Sequence, residues 1–280
     1  MSKEIALITG SSSGFGLLTA LSLAKEGYQV IATMRALEKK TALEKAIEKE
    51  KLTSIEILPL DVTDHDSIST TIQSVLERYG QIDLLINNAG YAANGYVEDL
   101  SLTTFREQFE TNFFGLIAVT QAVLPSMRQR QQGRIINMSS VSGRIAFPAL
   151  SPYSSSKYAV EGFSESLRLE MLPYGVYVSL IEPGSYQTSI WDKSFAQTDQ
   201  GKRNSNYPKE MEMIMNEAIQ IKQHAADPQD VADLIVRVAQ HPNPKLRYPI
   251  GKEAKSTLRL KSLLPWAWIE RYVIKKYLKM

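Results

Sequence analysis

Cysteine is absent from all 280 residues. That absence excludes disulfides, iron–sulfur clusters and thiolate zinc sites, and agrees with a reducing, intracellular setting. Histidine is nearly as scarce: His65, His224 and His241 lie far apart, so no His-based metal motif is visible and each reads as a surface or loop residue. Charge of one sign is also lacking. The formal net charge of +2 is too small to predict a nucleic-acid partner. No apolar run approaches the roughly 20 residues that cross a bilayer. The opening, MSKEIALITG, passes at once into a glycine loop and leaves no room for an export signal. A cytoplasmic protein without a transmembrane span is expected.

With 44% hydrophobic and 22% charged residues, the composition is that of an ordinary globular protein. Seven short apolar runs read as strands: Ile5 to Thr9, Val30 to Thr33, Ile55 to Leu60, Leu84 to Asn87, Arg134 to Met138, Tyr177 to Ile181 and Arg247 to Ile250. Between them, helical periods run over Gly16 to Lys25, Leu37 to Glu50, Asp66 to Tyr79, Thr103 to Arg130, Tyr153 to Leu172 and Pro228 to Ala239. Gly27 predicts the end of the first helix, Pro173 with Gly175 the end of the fifth, and Asp227-Pro228 a capped start for the sixth. Such alternation predicts an α/β architecture: a doubly wound, seven-stranded, mainly parallel sheet with helices on both faces.

Two segments break the alternation. Residues 185–226 form a long polar connection with a Met-rich helical patch, Glu210 to Ile221, which reads as a substrate lid. Residues 252–280 form a basic amphipathic tail in which Trp266, Ile269, Val273 and Tyr277 share a helical face. The tail reads as an attachment to an anionic membrane surface, or as packing across a subunit contact or over an active-site mouth. Residues 1–251 are expected to form one catalytic domain.

The first strand opens into Thr9-Gly10-Ser11-Ser12-Ser13-Gly14-Phe15-Gly16 ahead of an apolar helix. Glycines there permit a tight turn and close backbone approach to a pyrophosphate, whose charge meets free amides at the helix N-terminus. Tyr153 and Lys157, spaced i, i+4, lie on one helix face. A nearby ammonium favours the phenolate form and so suits Tyr153 to acid/base work. Taken alone, such a pair more often marks a solvated helix face. Ser140, however, stands at the C-terminal end of the fifth strand, where open α/β sheets build their sites.

The Thr-Gly-x-x-x-Gly-x-Gly turn, Asn87-Asn88-Ala89-Gly90, Asn112, Ser140, Tyr153-x-x-x-Lys157 and Pro183-Gly184 occur in one order. In this the chain resembles the short-chain dehydrogenase/reductase family, and Tyr28 to Arg35 with Gly133 to Phe163 resemble its hydroxysteroid and retinol dehydrogenase branch. The resemblance implies a Rossmann fold and hydride transfer to or from a nicotinamide. It makes Tyr153 the acid/base, Lys157 its activator, Ser140 the group that binds substrate oxygen, and Asn112 part of a proton relay. It places Gly10, Ser12, Ser13, Gly14, Phe15, Gly16, Asn88, Ala89, Gly90, Pro183, Gly184 and Thr188 around the cofactor, and Asp61 with Val62 at its adenine. For Asn88, the structural role of tying strands together near the cofactor is the favoured rival, and for Asn112 a purely structural hydrogen-bonding role is the rival.

An acidic group at the end of the second strand selects NAD by holding the ribose 2′-hydroxyl. Here Met34 takes that place and Arg35 follows, so NADP(H) is expected over NAD(H). Met and aromatic residues in the lid and tail suggest an apolar ketone, aldehyde or alcohol, the alternative being that they simply pack the tail on the body. A homodimer or homotetramer is implied by the resemblance. The alternatives are a catalytically silent NADP(H) sensor, or an epimerase or dehydratase on the same scaffold.

Overall fold

The computed structural model describes residues 3–188, 205–252 and 254–278. Seven strands form one sheet: β1 (Ile5–Ile8), β2 (Gln29–Met34), β3 (Ile55–Pro59), β4 (Leu84–Asn87), β5 (Gly133–Met138), β6 (Val176–Pro183) and β7 (Arg247–Ile250). Their order is β3-β2-β1-β4-β5-β6-β7, and every pairing is parallel. Parallel strands need crossovers, and helices supply them: α1 (Gly14–Lys25), α2 (Thr41–Glu50), α3 (His65–Tyr79), α4 (Leu102–Phe109), α5 (Gly115–Arg130), α6 (Ser151–Met171), α7 (Pro208–Gln223) and α8 (Gln229–Gln240).

Alternation along each strand divides the core into two layers. Ala6 and Ile8 of β1 and Leu84 and Ile86 of β4 pack with Leu21 and Leu23 of α1 and Ile235 of α8. Ile5, Leu7 and Leu85 face the other way, against Ile72 of α3, Val119 and Val123 of α5 and Leu167 of α6. The period of two thus gives a sheet covered on both faces.

Helix ends follow the expected chemistry. Gly27 and Gly175 adopt φ of +93° and +69° beyond α1 and α6. Asp227 Oδ1 accepts from the Gln229 amide at 2.9 Å ahead of α8.

Three expectations are corrected. The segment from Leu37 to Glu50 is not one helix: a short 3₁₀ turn at Leu37–Lys39 precedes α2. The span from Thr103 to Arg130 is interrupted by a π-helical turn, Glu110–Phe114, between α4 and α5. The extra residue of that turn lets the Asn112 side chain point inward to bind backbone, a need that periodicity does not register. In the tail, α9 (Ala254–Leu263) precedes α10 (Trp266–Val273) and a π-helical turn, Ile274–Leu278. Ile269 is buried and Val273 half-buried, whereas Trp266 on the same helix is exposed, so the expected face is only partly covered. Ala254, Leu258 and Ile269 pack on Val141 and Ile145 just beyond Ser140. Of the expected lid, 189–204 lie outside the described residues, while α7 covers its Met-rich patch.

Candidate active site

The strand order reverses between β1 and β4, and a crevice opens at their C-terminal ends. A cavity of about 1900 Å³ lies there, lined by residues from both halves of the chain.

On one side stands the glycine turn. Gly10 has φ +73°, and a Cβ on it would come within 2.8 Å of Ala89 Cα. At Gly16 a Cβ would stand 2.4 Å from the Gly10 carbonyl oxygen and 2.5 Å from Asn88 Nδ2. Only glycine fits either place. The Asn88 side chain holds the turn by donating to the carbonyls of Thr9 and Gly10, both at 2.9 Å. Thr9 Oγ1 accepts from the amides of Asn88 and Ala89, both at 3.0 Å. Ser12, Ser13, Gly14 and Phe15 at the start of α1 line the cavity, as do Asn88, Ala89 and Gly90; Gly16 lies behind them.

At the end of β2, Met34 is buried, and both it and Arg35 line the cavity. Lys39 joins them from the 3₁₀ turn. Asp61 and Val62 form the adjoining wall, where Asp61 Oδ1 accepts from the Thr63 amide and hydroxyl at 3.0 and 2.8 Å. Pro183, Gly184 and Thr188 close the opposite side. Thr188 approaches the glycine turn, its Cβ 3.6 Å from where a Gly14 Cβ would be.

Deeper in, Ser140 is held extended at φ −166° and accepts from the Ser142 amide at 3.1 Å. Its hydroxyl adjoins that of Tyr153, and both residues line the cavity. Lys157 sits behind them, buried, its Nζ 5.8 Å from the Tyr153 ring centre and donating to the Met138 carbonyl at 2.7 Å. Burial pushes the Lys157 ammonium down to about 8, opposed by the charge of Glu161. Burial also raises the Tyr153 phenol, and the Ser140 hydrogen bond only partly opposes this. Desolvation of the phenol therefore dominates, and the lowering expected from Lys157 does not appear beside that of Ser140.

Asn112 is buried at the π-helical turn. Its Oδ1 accepts from the Tyr91 amide, and its Nδ2 donates to the Tyr91 carbonyl, both at 3.0 Å, and to Ser156 Oγ at 3.2 Å. Through Ser156 it touches α6 one residue before Lys157, while Tyr91 adjoins Gly90. It lies behind the cavity wall and ties the two sides of the site together.

Residues 4–199 match the family model for short chain dehydrogenase, which is more than half of the chain. The chain belongs to the short-chain dehydrogenase family. It is 48% identical to the uncharacterized oxidoreductase YusZ of Bacillus subtilis (strain 168), covering 99% of each chain. It is 36% identical to retinol dehydrogenase 8 of Homo sapiens over 86% of this chain and 79% of that one, which supports a retinol dehydrogenase-like branch. Among solved structures, a short-chain dehydrogenase from Streptomyces avermitilis superposes with a TM-score of 0.78 at 31% identity, covering 96% of this chain and 98% of that one. An actinorhodin polyketide ketoreductase solved with NADPH gives 0.73 at 30% identity, covering 85% and 90%.

In this short-chain dehydrogenase, sequence reasoning missed a buried ionic group directly behind Ser140 and Lys157. Ser139 Oγ donates to Glu161 Oε1 at 2.5 Å, and Arg247 Nε reaches Glu161 Oε2 at 2.9 Å. Arg144 Nη1 pairs with Glu182 Oε1 at 3.2 Å. Burial beside Glu161 pushes Glu182 up to about 7. Glu161 falls one turn after Lys157 on α6, so its position was readable; Glu182 and Arg247 meet only through the pairing of β6 with β7. Lys39 was hidden by the expected continuous helix.

Proposed function

We propose that the protein is an NADP(H)-dependent oxidoreductase that interconverts an apolar ketone or aldehyde with its alcohol. The observation that carries this reading is the meeting of the Ser140 and Tyr153 hydroxyls in the wall of the cavity that also contains the glycine turn. When bound, the cofactor supplies or accepts the hydride. Gly10 and Gly16 let the turn close tightly on Ala89 and Asn88, and the start of α1, with Ser12, Ser13 and Gly14 in the cavity wall, would meet the charge of its pyrophosphate. Asp61 would take the adenine amine, and Thr188 the carboxamide. Arg35 and Lys39 bring two cations to the place where an acidic residue would repel a 2′-phosphate.

Ser140 and Tyr153 bind the substrate oxygen through their hydroxyls. During reduction the Tyr153 phenol gives its proton to that oxygen as negative charge develops there, and during oxidation the phenolate takes it back. Lys157 stabilises the phenolate left behind, and Asn112 holds the Tyr91 backbone and α6 in register around it. The apolar wall comes from α7, with Met211, Ile214 and Met215, and from Leu264, Trp268 and Ile269 of the tail. A silent sensor finds less support, since the Ser140–Tyr153–Lys157 arrangement is present.

The reading is tested by screening apolar ketones and alcohols against the disappearance or appearance of NADPH absorbance. Turnover with NADPH well above that with NADH is expected. Arg35→Ala with Lys39→Ala should weaken NADPH binding by about tenfold or more and leave NADH nearly unchanged. Equal losses for both cofactors would refute the assignment of these cations.

A further inference from the structure

The tail concentrates charge that the rest of the chain lacks. Eight basic residues stand against two acidic ones between Lys252 and Met280, although the whole chain carries only +2. Among the described residues of this segment, Lys252, Lys255, Arg259, Arg271 and Lys275 are exposed, with Glu270 the single exposed acid. Large apolar side chains stand among them. Leu263 is 79% exposed, Trp266 59%, Trp268 63%, Tyr272 64% and Leu260 53%. On α10, Trp268 and Tyr272 fall i, i+4 and Arg271 i+3 from Trp268, so aromatic and basic side chains share one stripe.

Three of these exposed residues, Leu260, Trp268 and Tyr272, also line the 1900 Å³ cavity. They therefore form its rim as well as part of the outer surface. We infer that the α9–α10 rim is a docking surface for an anionic lipid bilayer, so that an apolar substrate enters the cavity directly from the acyl layer. Amphipathic helices with lysine, arginine and tryptophan bind such surfaces by combining apolar burial with attraction to acidic headgroups. A second copy of the chain is the poorer occupant: a twofold contact would set this basic patch against itself. Direct entry rests on the carbonyl reductase reading above, whereas the docking itself can be measured without it.

The test is flotation of the full chain with vesicles of phosphatidylcholine alone, and of phosphatidylcholine with 30% phosphatidylglycerol. These are run beside NADPH turnover on a short, water-soluble ketone. Binding to the anionic vesicles only, weakened about tenfold or more by raised salt, is expected. Lys255→Glu with Arg259→Glu and Arg271→Glu, none of which lines the cavity, should abolish flotation and leave turnover of the soluble ketone unchanged. Failure of the wild-type chain to float, equal flotation with both vesicles, or persistence of binding in the triple variant would overturn the docking surface. So would a dimer in solution that the triple variant dissociates. Flotation without turnover of any carbonyl would instead retain the docking and remove the catalytic reading, so the two failures are distinguishable.

Discussion

At the scale of the residue, the site sets a half-buried phenol against a buried ammonium, with the Glu161 carboxylate one helical turn beyond it. Tyr153→Phe retains ring packing and removes the proton, so turnover should fall about 10²–10⁴-fold while NADPH binding, followed by fluorescence, stays near wild type. Glu161 raises Lys157 against the desolvation that lowers it to about 8. Glu161→Gln should therefore move the alkaline limb of kcat/KM to lower pH, and no shift would show that Glu161 has only a packing role. Glu182, raised from 4.5 to about 7, has a consequence for stability. Across that interval the folded protein holds a proton that the unfolded chain has released, so this group's contribution falls as pH rises and its penalty is complete above pH 7. Glu182→Gln should gain on wild type by on the order of 2 kcal/mol between pH 5 and pH 8 in urea melts. A variant that loses ground with pH would contradict the assignment. The placement of Tyr153, Lys157 and Ser140 was legible because two are one helical turn apart and the third closely follows a strand. Arg247 and Glu182 were not, since sequence spacing carries no record of which strand β7 joins.

The elements owe their ends to local chemistry, which is why most boundaries could be read. Asp64 Oδ1 accepts from the amides of Asp66 and Ser67 at the start of α3. Asp64→Ala should cost about 1 kcal/mol in thermal or urea unfolding without changing catalysis, because the cap lies away from Tyr153. Gly16→Ala should behave differently. Its Cβ would meet backbone oxygen at 2.4 Å, so the turn must shift, and NADPH affinity should fall together with stability, by about 1–3 kcal/mol for the latter. Retention of both would mean the turn yields more easily than its Asn88 bonds imply. Where one side chain bends an element toward a distant partner, as Asn112 does toward Tyr91, the apolar period continues through the break and conceals it. Hence one long helix was expected where α4, a π-helical turn and α5 occur.

Across the whole molecule, alternation on seven strands specifies a sheet with two buried faces, and the reversal of strand order leaves a crevice at the C-terminal ends of β1 and β4 for a ligand. The tail was legible as amphipathic but not as a wall, because its partners Val141 and Ile145 lie more than a hundred residues earlier. Ile269→Ala should cost about 2 kcal/mol or more at that contact and raise KM for bulky apolar substrates more than for small ones. Equal effects on both would separate the tail from substrate binding. The central claim, that Tyr153 delivers or removes the proton beside a bound nicotinamide, is tested most directly by single-turnover oxidation of bound NADPH with an apolar ketone, comparing wild type with Tyr153→Phe at matched cofactor occupancy. The account predicts rapid loss of NADPH absorbance in the wild type and a rate at least about a hundredfold lower in the variant. Equal rates in the two proteins would contradict it.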